Sequence, residues 1–214
     1  MTNRLLTAIL AMCAIAAAET WRIDNLKKIG NHPATVLGNP KIIAAPGGKA
    51  LEFNGVDDAV FLSVHPLAGA KTWTWEVIFR PASGGAPEQR FFHLQEAGTD
   101  NRMLFEIRVI GNQWCLDAFV KSGDSQQVLL DRTKLHPLDA WYHAAAVYDG
   151  HQFRNYVNGV LEGSAEIHLE PQKAGQTSLG VRINKVNYFK GAILKARMTP
   201  RALSPEQFLK RPAF

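Results

Sequence analysis

The chain has 214 residues, 46% of them hydrophobic and 20% charged, with a formal net charge of +5. That balance excludes a disordered chain, and one domain of this length buries a core without disulfide staples. Lysines and arginines are scattered apart from Lys27-Lys28 and the C-terminal end, and without a basic stripe interleaved with aromatics a nucleic-acid partner is not expected; weak attraction to acidic polysaccharide or anionic surfaces is all the charge supports.

Arg4 precedes an uncharged apolar run from Leu5 to Ala17, and Ala16-Ala17-Ala18 offers a cleavage site before Glu19. This is the pattern of a secretory signal peptide over residues 1–18, leaving one domain at 19–214 in a secreted, periplasmic or extracellular setting. The run is shorter than the ~20 apolar residues of a spanning helix, so no integral membrane segment is expected after cleavage. Lipoprotein anchoring at Cys13 is not expected, because the residue before it is Met12 rather than a small one. Cys13 leaves with the signal, so no intramolecular disulfide is available to Cys115. Beside Trp114 in an apolar run, Cys115 reads as a buried, inert thiol.

Strand signals fill the rest. Lys49 to Leu62 reads as two short strands joined at Asn54-Gly55 and Asp57-Asp58. Trp73 to Arg80 alternates, with Trp73, Trp75, Val77 and Phe79 on one face and Thr74, Glu76, Ile78 and Arg80 on the other. Phe91 to Gln95 follows, then Met103 to Ile110, a Gly111-Asn112 turn, and Trp114 to Val120. Trp141 to Tyr148 and Gln152 to Val157 form a hairpin across Asp149-Gly150, and Asn158-Gly159 makes a second tight turn. Ser178 to Ile183 and Tyr188 to Met198 complete the set. Ser204-Pro205-Glu206-Gln207 fits one short capped helix, docked through Phe208 and Leu209. Many short strands punctuated by Gly, Asn and Asp predict an all-β, two-sheet antiparallel sandwich.

Three blocks carry a family resemblance. The first is Ala50-Leu51-Glu52-Phe53-Asn54-Gly55-Val56-Asp57-Asp58 with Trp73 to Pro81. The second is Trp141 to Gly150 with Tyr156-Val157-Asn158-Gly159. The third is Leu179-Gly180-Val181, Phe189 to Ile193, and Arg201 to Gln207. In order and spacing they resemble the laminin-G-like, concanavalin A-like lectin/glucanase family of bacterial surface and secreted proteins. The resemblance implies a jelly-roll fold, on which lectins, adhesion modules, hydrolases and lyases all occur. Trp141 and Tyr156 are expected to anchor a sheet-on-sheet core. One departure matters. The family commonly carries an acidic pair in a Gly-x-Ile-Asp-Glu pattern, and here the stretch is Gly191-Ala192-Ile193-Leu194-Lys195. No cofactor is therefore expected: a structural calcium is doubtful, since Leu194 has no ligating oxygen and Lys195 repels the ion. Asp57 and Asp58 are weak metal candidates, read first as turn residues.

No motif of a metalloprotease, serine hydrolase, phosphate loop or zinc site is present. If the chain is an enzyme, the candidates are Glu76, His93, Glu106 and Arg108. Glu76 and Glu106 are expected to meet on adjacent strands, joined by Asp117, with cross-strand ion pairs to Arg80 and Arg108 the plainer reading. His93 with Glu106 and Arg108 would suit β-elimination on a uronic-acid polymer, while His143 reads as a packed core residue. Ligand-binding candidates are Arg102, Asn112, Trp114, Asp117 and Tyr188. Of these, Trp114 and Tyr188, with Phe189, are the turn-proximal aromatics on which a sugar could stack. The reading that follows is a secreted recognition module for carbohydrate, matrix or a cell-surface ligand. Its partner is a polysaccharide, a glycoconjugate or a cell-surface protein. A glycoside hydrolase or polysaccharide lyase, and a protein-interaction module without a glycan ligand, remain as alternatives.

Overall fold

The computed structural model describes residues 17–210; the Cys13 reading and all but the last two residues of the proposed signal peptide lie outside them. Seventeen strands follow in chain order: β1 (Glu19–Arg22), β2 (Lys28–Ile29), β3 (His32–Leu37), β4 (Lys41–Ala45), β5 (Gly48–Asn54), β6 (Ala59–Leu62), β7 (Trp73–Pro81), β8 (Glu88–Glu96), β9 (Arg102–Ile110), β10 (Gln113–Ser122), β11 (Ser125–Leu130), β12 (His136–Pro137), β13 (Tyr142–Tyr148), β14 (Gln152–Val157), β15 (Val160–Glu166), β16 (Gly175–Leu179) and β17 (Lys190–Thr199). They form two antiparallel sheets. Sheet 1 runs β15-β14-β13-β7-β17-β5-β4, with β1 also on β17. Sheet 2 runs β11-β10-β9-β8-β16-β6-β3-β2, with β12 also on β10. No described helix is long and apolar enough to cross a membrane.

Alternation dictates the core. Trp73, Trp75, Val77 and Phe79 of β7 face Met103, Phe105 and Ile107 of β9 and Trp114, Leu116, Ala118 and Val120 of β10 across the sandwich. Trp75 packs on Phe105 at 4.2 Å between ring centroids, and Phe79 stacks on Phe91 at 4.2 Å. Two glycines permit close approach. A Cβ on Gly180 (φ 80°) would meet the Phe53 ring at 2.3 Å, and one on Gly191 would meet the Arg80 carbonyl at 2.3 Å.

The two strands expected over 49–62 fall in different layers: β5 belongs to sheet 1 and β6 to sheet 2, so Asn54–Asp58 is the crossing between layers. The short C-terminal helix is one turn of 3-10 helix, Pro205–Gln207, where the Ser204 amide donates to Gln207 Oε1 at 3.1 Å. One expectation changes. Trp141 and Tyr156 do not sit between the sheets. Both lie on the outer face of sheet 1, Trp141 with Ile78 and Leu194, Tyr156 with Leu203 and Phe208. The segment after β17 folds back as a roof over that outer face, through Leu203, Phe208 and Leu209.

Candidate functional site

Glu76 and Glu106 do not meet, because β7 is in sheet 1 and β9 in sheet 2. Each points away from the core on its own sheet.

Glu76 is fully buried beneath the C-terminal roof. Oε1 accepts from the Leu209 amide at 2.6 Å and lies 3.1 Å from His143 Nε2, while Arg197 Nε donates to Oε2 at 2.5 Å. Burial alone would push the carboxyl up. The bonds from His143, Arg197 and Leu209 outweigh it and hold the group below the ordinary carboxylate range. The acid thus fastens the roof to the sheet. Thr74 works beside it, donating from its hydroxyl to the Arg201 carbonyl at 2.9 Å and accepting the Leu203 amide at 2.8 Å.

The outer face of sheet 2 is charged instead. Glu106 and Asp117 are directly opposite on β9 and β10, and both reach Arg108 Nη2, at 3.0 and 2.6 Å. Arg90 Nε lies 3.1 Å from Glu106, and Glu88 closes the network at 2.7 Å from Arg108 Nη1. Glu106 is 5% exposed and Asp117 2%. Burial, then the neighbouring Asp117 charge, raises Glu106 above its ordinary range. Burial likewise raises Asp117, against the pull of Arg108 and Arg90. Asp117, expected to touch ligand, is instead a buried partner of Arg108.

His93 belongs to the same face, opposite Leu104. The loop between β16 and β17 covers it: the Ile183 amide donates to Nδ1 at 3.0 Å. That bond places the neutral ring's proton on Nε2, which is buried with no hydrogen-bond partner among the described residues. Burial, with Arg182 and Arg102 nearby, lowers the ring to about 3. His93 is therefore neutral and away from solvent. It reaches neither Glu106 nor Arg108 through any hydrogen bond, so the elimination constellation is not assembled.

Arg102 starts β9, with 18% of its side chain exposed. Its guanidinium lies 4.7 Å from the Phe119 ring centroid and donates to the Asp100 carbonyl at 2.7 Å. Burial and the neighbouring Arg182 lower its affinity for a proton. Arg182, half-buried on the covering loop, has no ion-pair partner among the described residues. Lys121, opposite Arg102 in register, reaches Asp100 at 2.5 Å. Arg102, Arg182, Phe119 and Lys121 thus make a half-open cationic shelf. Tyr188, half-buried, is on the covering loop, where the Asn187 carbonyl accepts the Arg90 amide at 2.9 Å.

Other expected contacts fall elsewhere. Trp114 is completely buried, between Phe79, Tyr142 and His136, and Phe189 is buried against Phe53 and Phe91. Neither offers a face to a sugar, because both point into the core between the sheets. Asn112 is exposed in the β9–β10 turn, at the far end of β9 from Arg102, roughly 25 Å away at about 3.3 Å per residue. Cys115 is a buried free thiol pushed up by burial. Asp58 accepts backbone amides at both oxygens, from Asn39 at 2.6 Å and Asn54 at 3.0 Å, and Asp57 accepts from the Asn54 side chain at 2.7 Å. Both therefore act as turn clips. Among the described residues no group of three or more His, Cys, Asp or Glu gathers to hold a metal. Arg182 and Phe119 were not singled out from sequence. Their alternation and turn context gave a weak signal, but nothing local placed Arg182 over β9.

Residues 54–208 match the laminin-G-type family model described as the Concanavalin A-like lectin/glucanases superfamily. No curated protein matches the chain. Domain 4 of AbnA, a GH43 extracellular arabinanase from Geobacillus stearothermophilus, in complex with arabinotriose, aligns with a TM-score of 0.66 at 21% identity, over 88% of this chain and 94% of that one. A heptameric SAP-like pentraxin from Limulus polyphemus aligns at 0.58 and 19%, over 73% and 77%. The binding domain of botulinum neurotoxin serotype D aligns at 0.63 and 12%, over 87% of this chain and 48% of that one, so the chain spans about half of it. At these identities the likeness is one of fold.

Proposed function

The chain belongs to the concanavalin A-like lectin/glucanases superfamily, and from that premise we propose that it is an extracellular recognition module whose ligand is carbohydrate. The observation that carries this reading is the shelf on sheet 2. Arg102, Arg182 and Lys121 gather beside the half-buried ring of Phe119, on the sheet face that also carries the network of Glu88, Arg90, Glu106, Arg108 and Asp117. Guanidinium and ammonium donors meet hydroxyl and carboxylate oxygens of a sugar, and a ring edge meets its apolar face. The like-fold arabinanase domain, in complex with arabinotriose, supports the ligand class. Export rests on the N-terminal signal pattern.

A hydrolytic reading has one observation in its favour, the directly opposed Glu106 and Asp117, whose strand positions suit a closely spaced acid pair. Their burial under Arg108 and Arg90 argues against it, since a substrate must reach both.

The test is binding and turnover on a panel of neutral and acidic polysaccharides. The expected result is saturable binding without product, weakened about tenfold or more by Arg102→Ala, a loss of about 1.4 kcal/mol. New reducing ends abolished by Asp117→Asn would replace the recognition reading with a hydrolase. Binding indifferent to Arg102 would remove the shelf from it.

A further inference from the structure

On the opposite sheet, β1, β17, the β4–β5 turn and the end of the described chain enclose a hollow of about 150 Å³. Four cations line it, Arg22, Lys49, Lys195 and Lys210, against one acid, Asp24; its floor is Ile78 and Leu194. Arg22, Asp24 and Lys195 also line an adjoining hollow of about 490 Å³, which adds Lys28. The two make one continuous trough. Glu19, on the wall of the second hollow, is taken by His32 at 2.6 Å.

Three features distinguish this trough from an ordinary solvated surface. First, Arg22 and Lys195 are directly opposite each other in the β1–β17 register, an arrangement that costs stability in a sheet. Second, none of the four cations forms a side-chain ion pair or hydrogen bond among the described residues. This contrasts with the outer face of sheet 2, where Arg90 and Arg108 are both ion-paired. Third, Lys195 stands just past the bulge at Ile193/Lys195 in β17, where a displaced backbone re-aims a side chain. Four cations against one acid leave an excess of positive charge on a hollow, which an anion offsets.

We propose that this trough binds the oxyanion groups of an acidic polysaccharide, carboxylate or sulfate, as a second contact surface separate from the Arg102 shelf. Two adjoining hollows sharing their cations fit a chain that carries anions at intervals. The choice of a polysaccharide over another polyanion rests on the recognition reading above; the trough itself does not.

The test is titration of the protein with polygalacturonate, dextran sulfate, neutral dextran and polyglutamate at low salt. Binding of one or both acidic polysaccharides is expected, falling steeply with salt. The double variant Lys49→Gln/Lys195→Gln weakens it about tenfold or more, whereas Lys71→Gln, at an exposed lysine outside the trough, leaves it unchanged. A separate readout does not depend on the ligand: Lys195→Gln raises the melting temperature at low salt, because it removes the opposed charge. Binding of acidic polysaccharide lost only with Arg102→Ala would overturn the trough and leave the shelf. Polyglutamate bound as tightly as the polysaccharides would overturn the ligand class, and no binding to either acidic polysaccharide, or binding indifferent to the double variant, would overturn the site. An unchanged or lowered melting temperature for Lys195→Gln would count against the uncompensated charge on which the argument stands.

Discussion

Glu76 on the outer face of sheet 1 and the Glu106–Asp117 pair on that of sheet 2 are buried to a similar degree, yet they titrate in opposite directions. Each has an arginine within hydrogen-bond distance, so the presence of a cation does not decide the outcome. The number of donors per carboxylate does. Glu76 keeps His143, Arg197 and the Leu209 amide to itself. Glu106 and Asp117 divide Arg108 between them and repel each other. The first arrangement locks a segment of chain in place. The second leaves a charged surface whose cover is arginine side chains.

The largest way to break this contrast is Glu76→Ala. It strands Arg197 and His143 and removes the acceptor of the Leu209 amide, so a loss of about 3–5 kcal/mol in urea denaturation is expected. Residues 203–210 should become sensitive to protease at the same time. A loss below about 1 kcal/mol with the roof still protected would mean that apolar contacts alone hold it.

Acid titration sharpens the comparison. His93 is lowered to about 3 from an ordinary 6.5, so the unfolded chain takes up a proton that the folded one refuses. Its stabilisation is complete above about 6.5 and is lost as pH falls towards 3, by up to about 1.4 kcal/mol per pH unit. Glu76, also depressed, adds to the loss further down, below the ordinary carboxylate range. His93→Gln should flatten the fall in urea midpoint between pH 7 and pH 5. An equal fall in the variant would assign it to other groups.

Asp117→Asn should have a smaller effect of opposite sign. Removing one of two crowded charges is expected to leave stability near neutral pH unchanged or raise it by up to about 1 kcal/mol. Glu106 should then titrate closer to its ordinary range in a carboxyl carbon NMR titration. A loss of several kcal/mol would show that Arg108 depends on Asp117 more than Glu106 suffers from it. Smallest of all is Arg102→Ala, at a largely buried side chain with no buried ion pair, for which a stability change within about 1 kcal/mol is expected by thermal melting. A larger loss would make its stacking on Phe119 a structural contact.

The sandwich was legible wherever one face of a strand meets the core. β7 and β9 alternate cleanly, and their inward residues are those the pattern predicts. The strands before Gly48 were not, because β4 is an edge strand and β3 is flanked on its outer side only by the two-residue β2; their residues are mostly exposed or half-buried, and nothing in their own sequence marks a buried face. Trp114 was misplaced because both faces of β10 are covered. Its outward neighbours Cys115 and Asp117 are as buried as its inward ones, so proximity to a turn did not mean exposure. The partners of Glu76 were invisible for another reason: Arg197 and Leu209 lie 121 and 133 residues away and meet it only when β17 pairs with β7 and the chain doubles back. Lys195 was legible as a departure from the family's acidic pair, but its opposition to Arg22 needed the register of β1.

Arg22, near the start of the described chain, and Lys210, at its end, line one hollow. The two ends of the described chain therefore lie on the sheet 1 side, while the Arg102 shelf faces the other way. Coupling the protein to a bead or a sensor chip through an exposed side chain on that side, such as Lys41, would hold the trough against its support and present the shelf outward. The same protein attached through an exposed side chain of sheet 2, such as Gln126, would reverse that orientation.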